Sequence, residues 1–237
     1  MTGNASDQVW IDYDAQVRAL FPPRVDALAV MFERHKFVRG LLALPNDAAV
    51  IVSNAERIEF NAQSNTEGFH TSDLNAEKIS DTRAASHFRV IAGPLWHLLA
   101  ECITQLQTPV AQALGTPWSV LNVRVWTTPP MCKIAGMYLK HRDGFPWQIW
   151  KVMIYFTPMD VEHGGLEVEQ NGVLTSLYGP AGSWVLFYNS TLPHRGAAGR
   201  TLERASAEIT LARTQQFDLA LHEAGLNAHF PLAPPAL

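Results

Sequence analysis

The chain reads as a mainly β protein, a sandwich or barrel with helices packed on its outside, and three observations carry that reading. From Trp118 onward, short β-rich runs alternate with turn residues at regular spacing, the pattern of a closed or layered β domain. Apolar residues at three-and-four spacing gather before that point, which assigns helices to the N-terminal part and to the outer face of the sheets. The 237 residues are 47% hydrophobic and 17% charged, enough apolar material for the core of one large domain. A single domain over 1–237 is expected, with a helix-rich part at about 1–117, a barrel core at about 118–212 and a tail at 213–237.

Residues 14–20 and 25–42 carry helical spacing, the second on Val25, Leu28, Met31 and Phe32, with Pro22 and Pro23 as the break between them. Within 47–59 the short β-branched run AVIV suggests a strand. Residues 61–81 are polar, with Gly68 and few large apolar side chains, and read as a loop able to cover the mouth of a barrel. Helical spacing returns over 87–114 on Val90, Leu95, Leu98 and Leu106 and closes at Gly115-Thr116-Pro117. Strands are then expected at 120–127, 137–141, 148–157, LEVE after Gly164-Gly165, VLTSLY, 183–188 and 205–212. Asn171-Gly172 between two of them is the signature of a tight hairpin.

The net charge of −4 offers no basic field for nucleic acid or anionic lipid. Cys102 and Cys132 are the only cysteines, too few for a disulfide scaffold and in keeping with a reducing cytoplasm. No apolar run approaches the roughly 18 residues of a membrane span, and the opening MTGNASDQ lacks the basic and apolar regions of a secretion signal. A soluble cytoplasmic protein with a small-molecule substrate is expected.

The chemistry concentrates in His141-Arg142-Asp143 and, far downstream, His194. In an extended chain alternate side chains share a face, so His141 and Asp143 point one way and Arg142 the other. His194 reaches them from another strand, after a turn built on Asn189, Ser190 and Pro193. Two imidazoles and one carboxylate with open positions opposite are the ligand set of non-haem Fe(II) oxygenases. His163, in the turn EHGG, competes for the distal position and reads as a turn residue. His35, His70, His87, His97, His222 and His229 fall outside this layout.

Arg204 follows His194 by ten residues and opens a β-rich run in which Ser206 shares its face. A guanidinium binds a carboxylate bidentately and a hydroxyl adds a further hydrogen bond. The bland alternative is an ion pair of Arg204 with Glu203 or Glu208. Arg195 adjoins the distal histidine, and Arg200 sits in the Gly-rich segment GAAGR, a turn. Lys151, in register with Met153 and Tyr155, either faces inward onto a carboxylate or snorkels at the strand end. Asn122, Arg124 and Trp126 share a face that is either inward or outward; if inward, Arg124 needs an anionic partner and becomes a second acid-binding candidate. Phe145, Trp147 and Trp150 follow the ligands and are candidates to wall a substrate pocket.

The stretches HRDGFPWQIWKVMIYFTPMDVEHGGLEVE and GSWVLFYNSTLPHRG resemble the Fe(II)/2-oxoglutarate-dependent dioxygenases, most closely the phytanoyl-CoA dioxygenase-like branch, over about residues 118–212. Where that branch continues into a Pro-Gly-Ser-His segment, this chain has LEVEQNGV. The resemblance implies a double-stranded β-helix, that is, a jelly-roll or cupin-like barrel. It implies Fe(II) on His141, Asp143 and His194, and 2-oxoglutarate chelated to the iron with its far carboxylate on Arg204 and Ser206. Lys151 and Arg124 are further candidates for binding the keto acid, and O2 is the second co-substrate. Hydroxylation of an unactivated C–H with release of succinate and CO2 is the activity implied. Asp143 argues against halogenation, since halogenating members carry Gly or Ala there. The competing readings are a cupin-type metal enzyme that uses no keto acid and a β-barrel module that binds without turnover.

Overall fold

The computed structural model describes residues 26–58, 86–88, 93–130, 138–145 and 147–213, together with positions 12, 15, 16 and 19. The expected loop at 61–81, most of the helix at 14–20 and the tail beyond residue 213 lie outside the described residues.

Helix α1 (Ala27–His35) is capped by Asp26, whose side chain accepts the Leu28 N–H at 2.8 Å. It stops well short of the expected residue 42, because Lys36 turns left-handed (φ 63) and donates its N–H to the Phe32 carbonyl. Phe32 is fully buried while Met31, assigned to the same face by its spacing, is half exposed. Beyond Lys36 the chain enters strand β1 (Phe37–Leu41), which pairs along β8 (Ser183–Phe187) and so gains hydrogen bonds that a longer helix would forgo.

The run expected as a strand at AVIV is instead helix α2 (Ala48–Ser53), buried on Ala48 and Val52. Burial four residues apart is a helical repeat, and packing has overridden β-branched propensity here. Strand β2 (Arg57–Ile58) comes next and pairs with β3 (Ser86–Phe88). The expected helix from 87 therefore begins later, as α3 (Gly93–Leu114). Its buried residues, among them Leu95, Leu98, Leu99, Cys102, Leu106 and Val110, recur at three-and-four spacing. Gly115, at φ 70, ends it.

The remaining strands are β4 (Ser119–Thr128), β5 (Ile149–Tyr155), β6 (Gly164–Gln170), β7 (Val173–Ser176), β9 (His194–Ala198) and β10 (Arg204–Ala212). They form an antiparallel seven-stranded sheet in the order β1-β8-β5-β10-β4-β3-β2 and a three-stranded sheet in the order β7-β6-β9. The β6–β7 hairpin turns on Asn171 and Gly172 with φ of 52 and 81, the doubly positive pair that matches strand twist.

Every residue of β5, β8 and β10 is buried, so the large sheet is covered on both faces. One face carries Val123, Val125, Val152, Ile154, Leu186, Ala207, Ile209 and Leu211, which form one apolar cluster with the buried residues of α1, α2 and α3. The opposite face follows from cross-strand register: Ser206 lies opposite Trp126 and Tyr155, Glu208 opposite Arg124 and Met153, and Thr210 opposite Asn122 and Lys151. Alternation thus sends apolar side chains to the helices and polar ones into the barrel, where the chemistry sits. None of the described helices is long and apolar enough to cross a membrane.

Candidate metal centre

His141 is not on a regular strand, although one was expected at 137–141. It forms a single antiparallel bridge with His194, each backbone N–H donating to the other's carbonyl at 3.0 Å. Residues paired in this way hold their side chains on one face, and the two imidazole rings lie 4.5 Å apart. The Asp143 N–H donates to the Asn189 carbonyl at 2.9 Å, which stitches the ligand segment a second time to the chain leaving β8. Arg142 is exposed and Asp143 buried, so the His-x-Asp segment alternates as an extended chain should.

His141, Asp143 and His194 present one ligand atom each within 4.8 Å of one another, and among the described residues they are the group able to hold a metal ion. His141 Nε2 is 3.6 Å from Asp143 Oδ1 and His194 Nε2 is 4.0 Å from Oδ2. The other ring nitrogens are engaged: His141 Nδ1 lies 2.7 Å from the Leu139 carbonyl and His194 Nδ1 2.9 Å from the Leu192 carbonyl. A carbonyl only accepts, so Nδ1 carries the proton and Nε2 turns its lone pair toward the cluster. This backbone support fixes the tautomer that a metal requires. Phe187 packs edge-on against His194 and holds its plane.

Electrostatics act on the three side chains in different directions. Burial pushes His194 down to about 4, so it stays neutral at physiological pH. Burial would lower His141 as well, but its bonds to Asp143 and to the Leu139 carbonyl outweigh that and raise it. Burial would raise the Asp143 carboxyl, yet the Lys151 ammonium and the His141 contact hold it well below the usual carboxylate range.

Arg204 is buried, and its guanidinium donates to the carbonyls of Ala197 and Gly165 and to Thr128 Oγ1. It pairs with neither Glu203 nor Glu208. The Arg204 Nε and the Ser206 Oγ are buried with no hydrogen-bond partner, an arrangement that costs about 1–3 kcal/mol per group unless something accepts from them. Both are donors, and a carboxylate is an acceptor for donors of this kind. Gly196 packs beside this arginine: a Cβ there would lie 3.2 Å from the Tyr138 ring and 3.6 Å from Arg204 Nη2.

Lys151 and Arg124 both face inward. Lys151 Nζ lies 2.8 Å from Asp143 Oδ2 and 3.1 Å from Glu208 Oε2. Arg124 donates through Nε at 3.1 Å, and again through Nη2, to Glu208 Oε1. Glu208 is the residue whose part sequence reasoning misses. Local spacing offers it only as a partner for Arg204, and the signal that places it with Arg124 is the β4–β10 register, which no local pattern encodes. Arg195 pairs with Glu167 at 2.6 Å, and Arg200 is exposed on the turn before β10. His163 bonds Asp160 at 2.9 Å within its own turn, away from the cluster. His35 and His97 are exposed on helices, and His70, His222 and His229 lie outside the described residues. Trp150 is not a pocket wall: it points to the helix side, edge-on to Tyr188 and under Arg213. Trp147 is 45% exposed and Phe145 half-buried, its ring 5.3 Å from Lys151 Nζ.

No family model matches the sequence, and no curated protein resembles it in sequence. Solved structures do resemble it in shape. EctD from S. alaskensis, solved with 2-oxoglutarate and 5-hydroxyectoine, superposes at a TM-score of 0.53 and 15% identity, covering 82% of this chain and 78% of that one. The carbocyclase SnoK from nogalamycin biosynthesis, an α-ketoglutarate-dependent non-haem protein, gives 0.55 at 13% identity, with 80% and 85% covered. HygX from Streptomyces hygroscopicus, with nickel, 2-oxoglutarate and hygromycin B bound, gives 0.54 at 12% identity, with 81% and 89% covered. The chain has the double-stranded β-helix fold. At these identities the likeness is one of fold, and the chemistry must be argued from the side chains.

Proposed function

We propose that this chain is an Fe(II)- and 2-oxoglutarate-dependent dioxygenase of the phytanoyl-CoA dioxygenase-like kind, hydroxylating an unactivated C–H of a small molecule. The observation that carries the reading is the convergence of His141, Asp143 and His194 with a buried guanidinium and an unpartnered buried hydroxyl on the same inner surface. Two neutral imidazoles and a carboxylate suit Fe(II). When bound, the iron supplies the site where keto acid and O2 meet and the C–H bond is oxidised, with succinate and CO2 as co-products. The chain's residues do the rest. The backbone carbonyls of Leu139 and Leu192 keep both Nε2 atoms free for the metal. Arg204 and Ser206 bind and orient the far carboxylate of the keto acid, which satisfies their unpaired Nε–H and O–H. Leu139 and Trp147, which flank the ligand segment in sequence, are exposed apolar side chains. Small-molecule partners are in keeping with HygX, which was solved with hygromycin B.

The bonds from Arg204 to the Ala197 and Gly165 carbonyls favour a second reading, in which this arginine is structural and the metal enzyme uses no keto acid. One experiment separates the two. Anaerobic addition of 2-oxoglutarate to Fe(II)-loaded protein should produce a visible charge-transfer band, and air should then yield succinate in an iron-dependent way. His141→Ala, Asp143→Ala and His194→Ala should each abolish both signals and weaken metal binding, while His163→Ala leaves them intact. Metal binding with neither band nor succinate would select the second reading.

A further inference from the structure

Four charged side chains meet inside the barrel: Asp143 of the ligand segment, Lys151 on β5, Glu208 on β10 and Arg124 on β4. Their side chains are 2%, 4%, 8% and 12% exposed, in that order. Two anions and two cations balance, which is the condition for burying charge at all. Burial would raise Glu208, but Arg124 and then Lys151 hold it down and ionised. A buried ionic network is poor at adding stability compared with apolar packing of equal volume, so its value lies in what it orients.

The contacts are asymmetric. Lys151 Nζ sits 2.8 Å from Oδ2 of Asp143 and is much closer to it than His194 Nε2, at 4.0 Å, while Oδ1 faces His141 Nε2 at 3.6 Å with no ammonium of the described residues beside it. The second contact of Lys151, 3.1 Å to Glu208 Oε2, keeps the ammonium from following the carboxylate, and Glu208 is itself held by Arg124 on the neighbouring strand. A carboxylate free at both oxygens can chelate a divalent metal through both. One ion-paired to an ammonium at a single oxygen offers the other more readily. Two imidazoles and one oxygen would leave a bound metal more positions for a keto acid and O2 than two imidazoles and a chelating aspartate would.

We infer that Lys151 is a positioning residue that occupies Oδ2 so that Asp143 gives the metal Oδ1 alone, with Arg124 and Glu208 as its anchor. This rests on the metal site proposed above. It also accounts for an inward lysine without placing it on the keto acid, since its head is already shared between two carboxylates of the chain.

The test is infrared spectroscopy of the full chain loaded with Mn(II), using carboxyl-13C aspartate to pick out the metal-bound carboxylate. The separation of its two stretching bands is wide for single-oxygen binding and narrow for chelation. The unaltered chain and Lys151→Arg, which keeps a donor, should show the wide separation. Lys151→Met should show the narrow one, and 2-oxoglutarate affinity of its Mn(II) form should fall about tenfold or more, the usual loss on removing support from a metal ligand. Lys151→Met leaves two carboxylates against one guanidinium, so Lys151→Met/Glu208→Gln is the second variant, restoring neutrality without restoring the contact. A narrow separation in the double variant supports the inference. A wide separation in Mn(II)-loaded Lys151→Met or in the double variant overturns it and leaves the proposed function standing. Failure of the unaltered chain to bind Mn(II) overturns both.

Discussion

Arg204 and Arg200 are four residues apart and carry the same charge, yet the structure gives them opposite circumstances. Arg204 is buried against the barrel interior, and Arg200 is exposed on a turn. A desolvated charge-assisted contact to a carboxylate is worth about 2–5 kcal/mol on truncation, so Arg204→Ala should weaken 2-oxoglutarate binding by a factor on the order of 30 or more. Arg200→Ala should change it by less than about threefold, as solvated charges do. Titration of the keto acid into metal-loaded protein reads both, and a reversed order would assign the co-substrate to the turn. That Arg204 opens the last strand was legible from the β-rich run that follows it. Glu208, four residues on, was not legible in its role, because its partners come from strands 84 and 57 residues away in sequence.

The β5–β6 connection shows what a glycine pair does for an element. Gly164 has φ +78, and a Cβ there would lie 2.1 Å from the Ala197 carbonyl oxygen and 2.6 Å from the Gly199 nitrogen. The small sheet can therefore close against β9 only if this residue has no side chain. Gly164→Ala should cost about 3 kcal/mol, as expected where strain and a backbone clash combine, and lower Tm by roughly 6–12 °C in a domain of this size. Gly172, at φ +81 in the hairpin turn, has open space around it: a Cβ there would meet nothing within 4 Å. Its alanine variant should pay only the left-handed backbone penalty of about 1–2 kcal/mol. Calorimetry on the two variants checks the contrast; equal losses would mean that the contact with β9 is not what makes Gly164 necessary.

Helix α3 and the outer face of the large sheet share one apolar cluster, and Cys102 lies within it, 1% exposed. Burial, with Glu101 beside it, pushes its thiol up to about 12. Alkylation needs an accessible thiolate, so at about pH 8 Cys102 should resist iodoacetamide in the native protein and react once guanidinium unfolds it. Peptide mass spectrometry follows Cys102 separately from Cys132. Labelling of the native protein at the rate of a free thiol would show that the helix layer opens readily from the sheet.

Local patterns were enough for whatever depends on neighbours in the chain. Alternation alone placed His141 and Asp143 on one face with Arg142 outward, and Asn171-Gly172 alone specified its hairpin. The helix ending at Leu114 was legible for the same reason, since periodicity reports which face of an element is buried, but the three strands of the large sheet that precede residue 118 were not. The sequence also misled where pairing partners lie far away. Residues 37–41 joined a sheet edge along β8 in place of extending a helix, and AVIV became α2, because packing against distant strands outweighs a weak local preference. The inward direction of Lys151 and Arg124 belongs to this second group. It depends on the register of β4 and β5 on β10, and a slip of one residue would turn both side chains toward the helices. Only the assembled sheet decides which cation meets which carboxylate.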